Sequence, residues 1–340
     1  MQIFTYQQAF HTENGDTLPQ IDIAYCTYGT LNADKSNVVW VCHALTASAD
    51  AADWWPGVVG EGFVLEPEKY FIVCANILGS CYGTTGPLSN SPETGKPYLH
   101  HFPLITIRDM VQAHTLLRAH LGIEQIYLLA GGSMGGYQAL EWALTEPERI
   151  DRLFLLATSA AESAWGIAIH TAQRLAIEAD GTWQTDIAQA GAKGLKAARA
   201  IGMLTYRNYE AFAHQQTDTD VNKLDHFKAS SYIQYQGDKL VKRFNAYSYH
   251  LLTRSMDTHN IARGRTDNTA AALRMIQQPT LIIGISSDIL CPPAEQAFIA
   301  EHIMHCRHVL IDSPFGHDGF LVEAEKISVA LSEWMSELAN

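Results

Sequence analysis

The sequence predicts an α/β protein: a mostly parallel central sheet flanked by helices, with an inserted helical lid. Three observations carry this expectation. Short apolar runs of strand length alternate with segments of helical periodicity. Those runs are near-continuous in Val, Ile and Leu, as strands buried on both faces must be, rather than alternating apolar with polar. From about residue 160 to 270 the strand signals vanish and Ala-, Gln-, Tyr- and His-rich helical text replaces them.

In chain order, the strand-like runs are IDIAYCTYG (21–29), NVVWVCHA (37–44), YFIVCAN (70–76), QIYLLAG (125–131), RLFLLAT (152–158), TLIIGIS (280–286) and HVLID (308–312). Between them, 105–121 spaces Ile105, Met110, Val111, Leu116, Leu117 and Leu121 close to the helical repeat and stops at Gly122. Segments 134–146 and 322–338 also read as helices. The inserted segment opens with SAWGIAIHTAQRLAIEAD, continues through small-residue text near 190–200 and closes with NAYSYHLLTRSMD. The expected division is a core of 1–159 with 271–340 and a lid of 160–270.

Composition narrows the function classes. The 340 residues hold 23 Lys+Arg against 36 Asp+Glu, a net charge of −13. Such a surface repels nucleic-acid phosphates and anionic membranes, so neither is an expected partner. The N-terminus lacks the basic and apolar regions of a signal peptide, and no apolar run approaches the roughly 20 residues of a membrane span. The six cysteines are scattered without a CxxC pair, which disfavours a disulfide framework and suits the cytoplasm. Fifteen histidines form no HExxH or HxH, so no metal site is expected.

The chemistry concentrates in LLAGGSMGGYQALEWAL (128–144), where Gly131-Gly132-Ser133-Met134-Gly135 joins a strand to a helix. In that setting GxSxG is a nucleophile elbow, a sharp turn that lifts a serine hydroxyl above the carboxyl end of a sheet. A glycine-rich helix start is the competing reading, and the coincidence of strand, motif and helix weighs against it. Serine is a weak nucleophile and needs a base oriented by a carboxylate. Asp288 follows the strand TLIIGIS, and His317 lies in the loop SPFGHDG after HVLID, so the order is Ser133, Asp288, His317. Asp312, Asp318 and Asp267 compete for the acid's role, but none both ends a strand and precedes the histidine by one βα unit. The oxyanion hole is expected from the N–H groups of Met134 and, in the loop His43-Ala44-Leu45-Thr46, of Leu45. His43 is expected to shape that loop.

The elbow GGSMGGYQALEWA, the loop CHALTASAD and the run NILGSCYGTTGPLSNSPETGKPY, followed by FPLITIRDMVQAH, together resemble homoserine O-acetyltransferases of the α/β-hydrolase superfamily. The resemblance continues through LTYRN, SYIQYQGDKLVKRF, LTRSMDTH and FGHDGFL, and so covers nearly the whole chain. It implies methionine biosynthesis, acetyl-CoA as co-substrate with no permanently bound cofactor, L-homoserine as acceptor, and a homodimer formed through the helical lid. It also implies that Ser133 is the nucleophile, Asp288 the triad acid and His317 the base. Arg207 matches the arginine that reaches the acceptor's carboxylate, and Asp318 the acid that receives its ammonium; Tyr232 and Tyr235 are weaker candidates for the same pocket. Tyr137, Cys291 and Asn260 depart from the pattern, which expects methionine, an aromatic and Asp at those places, and none of them removes a catalytic group. Homoserine O-succinyltransferases and serine O-acyltransferases share much of this text, and a plain esterase or thioesterase shares the triad. A binding protein that kept the fold without activity is opposed by the intact triad. Coenzyme A phosphates would call for a local basic patch, with Lys239, Lys242, Arg243 and Arg254 as candidates.

Overall fold

The structure is a computed structural model that describes residues 1–339. Its strands are β1 (Gln2–Tyr6), a hairpin of β2 (Phe10–His11) and β3 (Thr17–Leu18), then β4 (Ile21–Tyr28), β5 (Val38–Cys42), β6 (Phe71–Ala75), β7 (Leu128–Gly132), β8 (Leu153–Leu156), β9 (Thr280–Ile285) and β10 (Cys306–Ile311). All but the hairpin form one sheet in the order β1-β4-β6-β5-β7-β8-β9-β10. Its pairs are parallel from β6 to β10, while β4 runs antiparallel to both β1 and β6. The short β1 and the hairpin carry too few apolar residues to stand out in sequence, and β1 exposes most of its side chains as an edge strand can.

Every residue of β5, β7, β8 and β9 is buried, which accounts for their continuous apolar text. Successive side chains serve opposite faces. Val38, Trp40 and Cys42 of β5 join one core cluster, whereas Val39 and Val41 join the other. The first cluster includes side chains of α2 (Ile107–His120) and α3 (Met134–Thr145); the second is covered by α1 (Ala51–Trp54) and, at the C-terminus, α12 (Ala324–Ala339). α2 begins with a capping box, in which Thr106 Oγ1 accepts from the Asp109 N–H and the Asp109 carboxylate accepts from the Thr106 N–H. Gly122 ends it in the left-handed region, as expected.

Between β8 and β9 lie α4 (Ala164–Glu178), α5 (Ala192–Tyr206), α6 (Tyr209–Gln216), α7 (Lys228–Val241), α8 (Ala246–Asp257) and the short α9 (Thr269–Leu273). α4 packs on α5 and α8, and α5 packs on α7. α10 (Pro293–His302), which sequence pattern alone does not single out, buries only Gln296 and Ile299. The short α11 (Gly319–Val322) precedes α12. No helix of the described residues is long and apolar enough to cross a membrane.

Sheet order positions the site. β7 is central, and the chain leaving its carboxyl end turns at Ser133. Since β5, β9 and β10 run parallel to β7, the loops that follow them gather at that same end.

Candidate active site

Ser133 adopts φ 53° and ψ −126°, a left-handed conformation unusual for a residue with a side chain. Crowding explains its glycine neighbours. A Cβ on Gly131 would lie 2.2 Å from the Gly135 carbonyl oxygen, and one on Gly135 would lie 2.1 Å from the Cys42 carbonyl oxygen. The Ser133 N–H donates to the Leu156 carbonyl (2.9 Å), and the Thr158 hydroxyl donates to the Ser133 carbonyl (2.9 Å), so the end of β8 and the residues just after it hold the strained turn.

The three residues expected to act together meet. Ser133 Oγ lies 2.9 Å from His317 Nε2, and His317 Nδ1 lies 2.7 Å from Asp288 Oδ2. All three are buried. The other carboxylate oxygen of Asp288 accepts from the Leu290 and Cys291 N–H groups at 2.8 and 3.0 Å, which fixes its orientation. The Ser287 hydroxyl donates to the Ser313 carbonyl and accepts from the Gly316 N–H, tying the aspartate loop to the histidine loop. Burial works against the His317 imidazolium, but the Asp288, Asp318 and Glu162 carboxylates outweigh it and hold the ring above the ordinary histidine range.

His43 is buried at the oxyanion loop. One ring nitrogen lies 2.8 Å from the Ala44 carbonyl and the other accepts from the Ile77 N–H at 3.1 Å. Burial lowers its pKa to about 4, so it stays neutral and shapes the loop. Leu45 lines the cavity beside Ser133, and Met134 opens α3, where a helix leaves its first N–H groups without intrahelical partners.

The cavity over Ser133 measures about 500 Å³. Its floor is the 44–48 loop with His317 and Asp318, and its roof comes from α4, α5, α7 and α8. Arg207 is not on its wall. Instead its Nε lies 3.2 Å from Asp318 Oδ2, an ion pair whose N–H is not aimed at the oxygen. Burial raises the Asp318 pKa, while Arg207, His317 and Arg199 draw it back. Arg199 of α5 is on the wall, with its guanidinium 5.3 Å from the Tyr206 ring centroid. Sequence reading missed Arg199, Tyr206, His170 and Gln173 on this wall; only their spacing on α4 and α5 signalled them. Tyr232 and Tyr235 do not line the cavity: Tyr232 packs edge-on to Phe212, and Tyr235 is exposed. Of the four basic candidates, Lys239 and Arg243 reach the wall, with Arg243 donating to Tyr82 Oη at 2.7 Å, while Lys242 and Arg254 do not.

The three departures also lie off the wall. Tyr137 donates to Glu162 Oε2 at 3.0 Å and stacks on His259 at 4.0 Å; Cys291 is buried; Asn260 Oδ1 accepts from the Ala262 N–H. Among the described residues no group of three His, Cys, Asp or Glu side chains is placed to hold a metal ion.

A serine on a strand–helix elbow, with its histidine and aspartate on later strand ends, defines an enzyme of the α/β-hydrolase fold, and that family's model matches residues 37–324. Within it the chain belongs to the homoserine O-acetyltransferase family. It is 46% identical over 336 residues to the homoserine O-acetyltransferase of Cyclobacterium marinum, covering 99% of this chain and 95% of that protein. It is 48% identical to the one of Chlorobaculum parvum, over 98% and 94%. The solved homoserine O-acetyltransferase of Staphylococcus aureus superposes with a TM-score of 0.79 at 28% identity, covering 97% of this chain and 95% of that one. Esterase E22 shares the fold at a TM-score of 0.86 and 23% identity, over 97% and 99%.

Proposed function

We propose that this chain transfers an acetyl group from acetyl-CoA to the hydroxyl of L-homoserine through an acyl-serine intermediate. One observation carries the choice of acceptor: the cavity wall next to Ser133 presents a cation, Arg199, and an anion, Asp318, a pairing suited to an amino-acid zwitterion. Arg199 takes the carboxylate role that sequence assigned to Arg207; Arg207 steadies Asp318, which keeps the ammonium role.

His317 Nε2 takes the proton as Ser133 Oγ attacks the thioester carbonyl, and the Met134 and Leu45 N–H groups stabilise the oxyanion. The thiolate leaves and takes the proton. His317 then deprotonates the acceptor hydroxyl, which attacks the acyl ester; Ser133 departs as alkoxide and regains that proton, releasing O-acetylhomoserine. In this reading residues 1–159 and 271–340 form the core, and the helices within 160–270 act as a lid that excludes water and positions the acceptor. Lys239 and Arg243 at the cavity wall are placed for the donor's phosphates. We also propose a cytoplasmic homodimer through the lid, where Leu204, Tyr209, Val221 and Leu224 are exposed.

Thiol release from acetyl-CoA and succinyl-CoA, each with homoserine, with serine and with no acceptor, tests the reading. Homoserine-dependent release from acetyl-CoA is expected. Equal release without acceptor would make the chain a thioesterase, and release from succinyl-CoA alone would make it a succinyltransferase.

A further inference from the structure

We propose that Gln173, with His170 one turn before it on α4, reads the α-amino-acid head group of the acceptor and so excludes water and simple alcohols. The proposal rests on the acyl-transfer reading above and deepens it.

Gln173 is 1% exposed and lines the cavity, yet neither its Oε1 nor its Nε2 has a hydrogen-bond partner among the described residues. No other described side chain has two buried polar atoms without a partner. Buried amides are normally satisfied at both ends, because a desolvated donor or acceptor without a partner is costly. The missing partner must therefore supply an acceptor and a donor a few ångströms apart. The carboxylate and ammonium on one carbon of an amino acid do so.

The surroundings are built for the same occupant. A Cβ on Gly202 of α5 would lie 3.0 Å from Gln173 Nε2 and 3.1 Å from the Tyr206 ring, so the absent side chain leaves room for the amide. Arg199 and Tyr206 flank Gly202 on one face of α5, and Arg199 Nε is itself buried and unpartnered. A carboxylate there receives Gln173 Nε2 together with Arg199. His170, also on the wall, lies with Nδ1 2.8 Å from Asp257, whose other oxygen is 2.7 Å from Arg174. With Nδ1 engaged by Asp257, Nε2 is the ring nitrogen left to meet the ligand. The ammonium is then shared by Asp318 and Gln173 Oε1, beside His170.

The test uses the full chain, acetyl-CoA and three acceptors: L-homoserine, 4-hydroxybutyrate without the ammonium, and 3-aminopropan-1-ol without the carboxylate. The unsubstituted chain should favour homoserine over either truncated alcohol by about 100-fold or more in kcat/KM. Gln173→Met should raise the KM for homoserine about ten-fold or more with a smaller change in kcat, and narrow that preference. Gln173→Glu keeps the ammonium acceptor but repels the carboxylate, so it should shift preference towards 3-aminopropan-1-ol, which a merely structural role would not do. A folded Gln173→Met variant with homoserine KM within about two-fold of the original overturns the proposal. So does an unsubstituted chain that uses the truncated alcohols as well as homoserine, a result that needs no variant to fold. Absence of any homoserine-dependent thiol release in the unsubstituted chain overturns the acyl-transfer reading instead.

Discussion

At the scale of single residues, Ser133 combines a hydrogen bond to His317 with a backbone conformation that disfavours any side chain. Ser133→Ala should lower kcat/KM by several powers of ten, about 10⁴ or more, and intact-mass measurement with acetyl-CoA should show no acetyl adduct where the unsubstituted chain is expected to carry one. Ser133→Gly should be equally inactive but more stable than Ser133→Ala, by about 1 kcal/mol, because glycine tolerates the left-handed φ; thermal denaturation of the two variants compares them. His317 must be neutral to accept a proton, and three carboxylates hold its pKa up. Activity should therefore rise with pH through a midpoint above about 6.5, the ordinary histidine value. Asp318→Asn removes one of those carboxylates and should move that acid limb to lower pH, as read from kcat/KM for the donor across pH 5 to 9.

Among elements, the histidine loop and the helical segment are locked to one another. Gly316 has φ 64°, and a Cβ on it would lie 2.8 Å from both the Tyr206 carbonyl oxygen and the Asn208 N. Gly316→Ala should therefore push His317 away from Ser133 or displace the α5–α6 junction. The expected result is a loss of about 100-fold or more in kcat with a thermal midpoint several degrees lower; an active variant would show that the loop and the helices are independent. Most elements were legible because a strand buried on both faces must be written in continuous apolar residues, as β5, β7, β8 and β9 are. β1 and α10 were not, because an exposed edge strand and a helix with two buried residues carry no such pattern.

Across the whole molecule, burial divides the six thiols. Cys42, Cys74 and Cys291 are buried, and desolvation lifts their pKa well above the ordinary thiol value. Ellman's reagent should leave these three unreacted in the folded chain and reach them only in denaturant; rapid labelling of Cys291 would mean that its packing against Ile169 and Leu290 opens. At the cavity, the partly buried Asp318 carboxylate pairs with Arg207.

By itself the sequence determined the fold class, the elbow serine and the order of its partners, because each rests on local requirements: apolar continuity for a buried strand, glycine where a side chain would meet backbone, and a loop position after a strand. Which charges line the cavity beside the elbow serine was decided only by tertiary structure. Arg199 and Arg207 lie eight residues apart in the same basic, helical text, and nothing local separates them. Packing of α4 against α5 turns Arg199 to the cavity wall with Gln173, while the close fit of the histidine loop turns Arg207 onto Asp318. The direction of a long side chain is set by what packs beside it, and that information is not local in the chain.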